Sequence, residues 1–145
     1  MKSEEEFIKN QKKNEEYINL FRKHLEESNL SIKTINKHIS NIGLFLNDYL
    51  NDYECKTIED GCSSLNSFFK YWYIRKCLFA SQTGLKSLTS SVKMFYKFMM
   101  EQNLITKEGY DLLAYYIKEC YEEWLEELNR YDDPNISDDD FFGIF

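Results

Sequence analysis

Proline and glycine, the residues that most strongly interrupt regular backbone, occur only 1 and 5 times in this chain of 145 residues. The one proline is Pro134, so everything before it is free of an obligate helix breaker. Between the few interruptions, apolar residues recur three and four positions apart. That spacing gathers them on one face of a helix. The chain is therefore expected to be all-α, a compact bundle of four to five helices joined by short connections. Its length suffices for a core that needs neither disulfides nor metals.

Five helices can be read in turn. The first covers about Ser3 to Glu27, with Ile18, Phe21 and Leu25 on its apolar side and a polar first half expected to fray or stand in solvent. Ser28-Asn29 breaks it. Ser31 has the character of an N-cap for a second helix to about Leu50, with Ile32, Ile35, Ile39, Ile42, Leu46 and Tyr49 in one stripe. Asn51 to Cys62 reads as a loop with a short turn near Thr57-Ile58. Ser63 or Ser64 caps a third helix, about Leu65 to Lys76, burying Leu65, Phe68, Phe69 and Trp72. Ser81 opens a fourth, to about Gln102, with Leu85, Leu88, Val92, Phe95 and Met99 inward. Thr106 caps a fifth, about Lys107 to Tyr131, with Leu113, Ile117, Cys120, Trp124 and Leu128 as its core line.

The net charge of −7 argues at first against nucleic acid as a partner. Its distribution is more informative. Residues 28–100 carry nine basic and five acidic side chains, whereas residues 101–145 carry three basic and thirteen acidic. From Gly61 to Met100 there are six Lys or Arg and no Asp or Glu. On the fourth helix, Gln82, Lys86, Ser90, Lys93 and Lys97 fall within a polar sector about 80° wide.

Two blocks of the sequence resemble a known family. The first is Ser31-x-x-Thr34-Ile35 followed by Ile42-x-x-Phe45-Leu46-x-x-Tyr49-Leu50. The second runs from Ser81 through Leu85, Leu88 and Val92 to Phe95-Tyr96-Lys97-Phe98. In order and spacing they are similar to the N-terminal, SAM-like core-binding domain of the tyrosine recombinases, or phage integrases. The resemblance covers roughly residues 15–106. It implies a SAM-like helical arrangement, with an extra acidic C-terminal helix, that clamps one side of duplex DNA. By position it assigns Lys33, Thr34 and Lys37 on the second helix, and Gln82, Thr83, Lys86, Ser90 and Lys93 on the fourth, to the DNA surface. Lys97 joins them as the last lysine of the polar sector. The chain divides accordingly into a polar N-terminal helix extension (1–14), the core-binding domain (15–106), an acidic C-terminal helix (107–131) and an acidic, aromatic tail (132–145).

The family's catalytic half, with its Arg, Lys, His-x-x-Arg and tyrosine nucleophile, has no counterpart here. Thr83-Gly84-Leu85-Lys86 echoes the family's catalytic Thr-Gly-Leu-Arg only superficially, with Lys for Arg and inside a helix of the other domain. Without an Arg/His cluster, none of the 11 tyrosines is set up for phosphoryl transfer. There is also no phosphate-binding glycine loop, zinc-protease helix or serine elbow. An enzyme is therefore not expected, nor a cofactor, nor a small-molecule substrate. Cys55, Cys62, Cys77 and Cys120, with His24 and His38, match no zinc spacing, so reduced thiols near a core are expected. His38 is expected on the surface. Phe68 to Tyr73 is aromatic enough for a base-stacking platform, yet in a helix most of those rings belong in the core. No run is apolar enough to span a bilayer, and Met1 to Glu6 is polar and acidic, so the expected location is the cytoplasm.

These readings converge on a non-catalytic module for double-stranded DNA, acting in or regulating site-specific recombination and integration, in the setting of a mobile element. The competing reading is a protein-interaction module. In that case the acidic helix and the tail dock on a partner such as a recombinase through Trp124, Phe141, Phe142 and Phe145, or self-associate through Trp124, Leu125 and Leu128.

Overall fold

A computed structural model describes residues 4–76 and 80–132 of the chain. Among them there is helix and no strand. The order is α1 (Glu4–Glu27), α2 (Ile32–Gly43), a π-helical segment π1 (Leu44–Asn51), α3 (Ile58–Gly61), α4 (Leu65–Ser67), a second π-helical segment π2 (Phe68–Trp72), α5 (Tyr73–Lys76), α6 (Gln82–Glu101) and α7 (Lys107–Asp132). α2 and π1 form one continuous rod, as do α4, π2 and α5. None of the described helices is long and apolar enough to cross a membrane.

Each break has a chemical cause. Ser31, Ser81 and Thr106 accept from the backbone N–H groups of Thr34 (3.2 Å), Gly84 (3.0 Å) and Gly109 (2.9 Å), and so satisfy donors that a helix start leaves unpaired. Thr57 and Asp60 form a reciprocal capping box around α3. α1 and α6 are each followed by an asparagine in the left-handed region, Asn29 and Asn103, both at φ 60°. After α6, the Leu104 N–H then donates back to Met99 O at 2.9 Å, closing the helix.

The core is a chain of aromatic contacts through the whole bundle. Phe21 of α1 meets Phe95 of α6 edge-on, with ring centroids 5.2 Å apart. Tyr96 then meets Phe45 of π1 at 6.2 Å. Phe45 meets Phe68 of π2 at 4.9 Å, and Phe69 stacks on Trp124 of α7 at 4.6 Å. Edge-on and offset contacts of this kind suit the ring quadrupoles and add to the burial of large apolar area.

Trp124 corrects one expectation. It is fully buried, and its indole N–H donates to Asn66 Oδ1 at 2.8 Å. It is a keystone between α7 and the α4–π2 rod and is not available for docking a partner. Leu128 is buried too, so the proposed Trp124–Leu125–Leu128 dimer face is committed inside the chain. Phe141, Phe142 and Phe145 lie outside the described residues. The first half of α1 stands mostly in solvent, as expected, but it is helical and tethered. Asn14, buried, donates to Leu46 O (3.2 Å) and Asn47 Oδ1 (3.1 Å), and Asn51 Nδ2 donates to Phe7 O (3.0 Å). At the start of α2, Ile32 is 65% exposed despite its place in the apolar stripe.

The second π segment shifts register in the α4–π2–α5 rod. Each wide turn takes an extra residue, which rotates the downstream side chains by roughly one helical step. Trp72 is left half-buried, while Tyr73 and Ile74 turn into the core.

Gly61 is packed closely against Tyr96 and Leu50. A Cβ there would collide with Tyr96 Oη and approach Leu50 Cδ1 to 2.8 Å. The Tyr96 hydroxyl is held by its hydrogen bond to Ile58 O at 2.7 Å and cannot move away freely. Gly61→Ala is expected to destabilise the fold by about 1–3 kcal/mol, read as a lower urea midpoint with an unchanged slope. A midpoint equal to wild type would mean that this packing is looser than the geometry indicates.

Candidate nucleic-acid interface

α2 lies along α6, and a polar seam joins them. Asn41 of α2 is buried and donates to Ser87 Oγ (3.0 Å) and Ser91 Oγ (2.9 Å) of α6. Ser91 Oγ in turn donates to Ser87 O at 3.1 Å. His38 Nδ1 lies 2.7 Å from the same Ser91 Oγ. A serine hydroxyl has one hydrogen. With that hydrogen on the Ser87 carbonyl, the network assigns the imidazole hydrogen to Nδ1 and leaves Nε2 as an acceptor. His38 is thus a seam residue and not the free surface histidine expected from its helical position.

Outside this seam the two helices diverge into a groove of about 720 Å³. Its α2 wall carries Lys33, Thr34, Asn36, Lys37, His38 and Ser40, and its α6 wall carries Ser87 and Ser90. No carboxylate lines it. The Thr34 hydroxyl oxygen accepts from Ser31 Oγ at 3.0 Å, so its own hydrogen is free for the groove. Asn36 Oδ1 accepts from Arg22 Nη1 of α1 at 3.3 Å, which leaves the Asn36 amide hydrogens unused.

Beyond the groove lies the exposed strip of α6. At about 100° per residue, Gln82, Lys93, Lys86, Lys97 and Ser90 fan across it in that angular order. Ser90 is the margin nearest the α2 seam, with Thr83 beside it on the same side. Gln82 is the opposite margin, and its Nε2 donates to Asn129 Oδ1 of α7 at 2.9 Å. The strip is therefore flanked by α2 on one side and by the end of acidic α7 on the other. Of the residues assigned from sequence, Lys33, Thr34, Lys37 and Ser90 come together in the groove. Thr83, Lys86, Lys93 and Lys97 are exposed alongside. Gln82 is occupied by Asn129.

None of these five lysines forms an ion pair with a described carboxylate. The pairs present are Lys56–Glu54, Lys70–Glu123, Lys107–Asp111 and Arg130–Glu127. Sequence reasoning missed Asn36, His38, Ser40 and Ser87 as groove residues. The available signal was the pair of small hydroxyls Ser87 and Ser91, one turn apart on α6, opposite Asn41.

Among the described residues, no cluster of His, Cys, Asp and Glu is arranged to hold a metal. Cys62 is buried against Glu59, and desolvation, reinforced by that carboxylate, pushes its thiol up to about 12. It is a neutral packing group and not a nucleophile. Cys77 lies outside the described residues. No protein-family model, characterised protein or solved structure matches the chain.

Burial holds the His38 pKa below its ordinary 6.5. The folded state therefore favours the neutral ring. As pH falls past the ordinary value, the unfolded chain takes up the proton first, so stability present above that pH is lost below it until the folded pKa is reached. The stability lost between about pH 7.5 and pH 5.5 is expected to be smaller for His38→Gln than for wild type, by urea denaturation. Equal losses would show that His38 is as well solvated in the folded chain as in the unfolded one.

Proposed function

We propose that this chain is a non-catalytic DNA-binding module, similar to the core-binding domain of phage integrases, that acts in or regulates site-specific recombination. The observation that carries the reading is the carboxylate-free groove between α2 and α6, bordered by lysines that no described acid neutralises. Ammonium groups free of internal partners are available to phosphates, and contacts of that kind position a protein on the duplex. The Thr34, Ser87 and Ser90 hydroxyls and the Asn36 amide are the groups that would reach base edges or sugar–phosphate oxygens within the groove. The sequence resemblance supports the same surface, because it assigns Lys33, Thr34, Lys37, Gln82, Thr83, Lys86, Ser90 and Lys93 by position, of which Gln82 is the one bonded to Asn129.

The acidic face of α7 supplies much of the negative charge and contributes no residue to the groove. Its effect on DNA is a long-range repulsion that slows encounter and is screened by salt. The protein-docking alternative loses its central anchor with Trp124, which is buried.

Binding to a random duplex, read by fluorescence anisotropy, is expected to weaken steeply between about 50 and 200 mM salt. A log–log slope on the order of −4 would correspond to four or five phosphate contacts. Lys86→Glu combined with Lys93→Glu is expected to abolish binding while circular dichroism stays that of wild type. A double variant that binds as wild type does would remove α6 from the interface. An absence of wild-type binding even at the lower salt would sink the reading itself.

A further inference from the structure

A second cleft, of about 510 Å³, opens between the turn after π1 and the π2–α5 rod. It shares no residue with the α2–α6 groove. Its floor is Tyr49, whose ring stacks on Tyr53 (5.9 Å) and meets Trp72 edge-on (5.6 Å). Tyr53 is 64% exposed and Tyr71 50% exposed, so two large rings of this otherwise well-buried aromatic set reach solvent at one place. Arg75 lies over the Tyr71 ring at 5.5 Å, and Lys76 follows it on the same rim. Neither cation is in ion-pair reach of a described carboxylate. The cleft does contain one acid, Glu54. It is half-buried, accepts from Tyr49 Oη at 3.3 Å and has Lys56 Nζ at 3.6 Å. Those contacts fix the carboxylate while leaving lone pairs on both oxygens.

We infer that this cleft is a nucleotide site, with the base held against the exposed rings of Tyr53 and Tyr71 beside Trp72, the phosphate held by Arg75 and Lys76, and Glu54 accepting from the amino edge of the base. Each part follows from the chemistry present. Exposed aromatic faces bind any flat base, and an arginine already laid on a ring adds a cation–π contribution. Two cations at one rim with no described carboxylate in ion-pair reach favour an anionic ligand over an uncharged aromatic one. A fixed carboxylate selects a base that presents N–H donors, and guanine presents two on adjacent atoms. The volume falls within the usual range for small-ligand sites, about 300–1,000 Å³. The lining is also drawn from both π segments, Tyr49 from π1 and Tyr71 and Trp72 from π2. Wide helical turns of this type concentrate at functional sites because they re-aim side chains at a cost in backbone geometry.

The inference does not depend on duplex binding by the groove. It predicts a base-plus-phosphate ligand, whether a free nucleotide or an unpaired nucleotide in a strand. The test is a titration of the full chain by NMR, following the indole N–H signals of Trp72 and Trp124, with guanosine monophosphate, guanosine, inorganic phosphate and a short 5′-phosphorylated single-stranded oligonucleotide. Trp124 is buried away from the cleft and serves as the internal control. Guanosine monophosphate is expected to shift Trp72 saturably and leave Trp124 unmoved, with guanosine weaker and phosphate alone silent. Arg75→Ala and Tyr71→Ala, both at exposed positions, are each expected to weaken binding about tenfold with the fold unchanged. A shift from the oligonucleotide alone supports the site and makes a strand its source. The inference fails if neither guanosine monophosphate nor the oligonucleotide moves Trp72. It also fails if guanosine binds as tightly as its monophosphate, or if both variants bind as wild type does.

Discussion

The fold depends on the aromatic column that runs from Phe21 through Phe95, Tyr96, Phe45, Phe68 and Phe69 to Trp124. Some elements it joins are too short to be stable as isolated helices: α3 has only 4 residues, and even the continuous α4–π2–α5 rod spans only residues 65–76. They exist because the rings they carry, or lie against, are fixed at both ends by longer helices. The two polar tethers to this column, Trp124 to Asn66 and Tyr96 to Ile58 O, satisfy the polar atoms of rings that would otherwise be buried at a cost.

The π segments carry the middle of the column, with Tyr49 beside Leu50 and Phe68 beside Phe69 buried in them. Tyr49 of π1 and Tyr71 and Trp72 of π2 also line the cleft, so both segments contribute to the core and to the second candidate site.

Much of the architecture was legible in the sequence because it rests on local chemistry. Ser31, Ser81 and Thr106 cap where a hydroxyl precedes an apolar-periodic run, and Asn29 breaks the chain where only a few residue types tolerate φ above zero. The inward residues of α6 and α7 follow from spacing alone. The misses have the opposite character, since each depends on what a helix meets and not on its own period. Trp124 reads the same from spacing whether it anchors a partner or Phe69. His38 reads as solvent-facing until α6 brings Ser91 within 2.7 Å. Asn14 looks like part of a polar extension, and it becomes a tether only when the Leu46 carbonyl is placed beside it. For the groove, sequence located the lysines but not the divergence of α2 and α6 that turns a polar surface into a concave one.

The seam of Asn41, Ser87, Ser91 and His38 bears on how rigid that groove is. Buried methyl groups resist separation because parting them exposes apolar area to water. Hydroxyls and amides exchange one partner for a water molecule at a net cost of only about 1 kcal/mol per bond. The outer line of contact between α2 and α6 therefore resists separation less than the ring column behind it. The groove walls can adjust their separation to a curved or irregular surface without unfolding either helix, and amide exchange along that edge should be faster than in the column behind it.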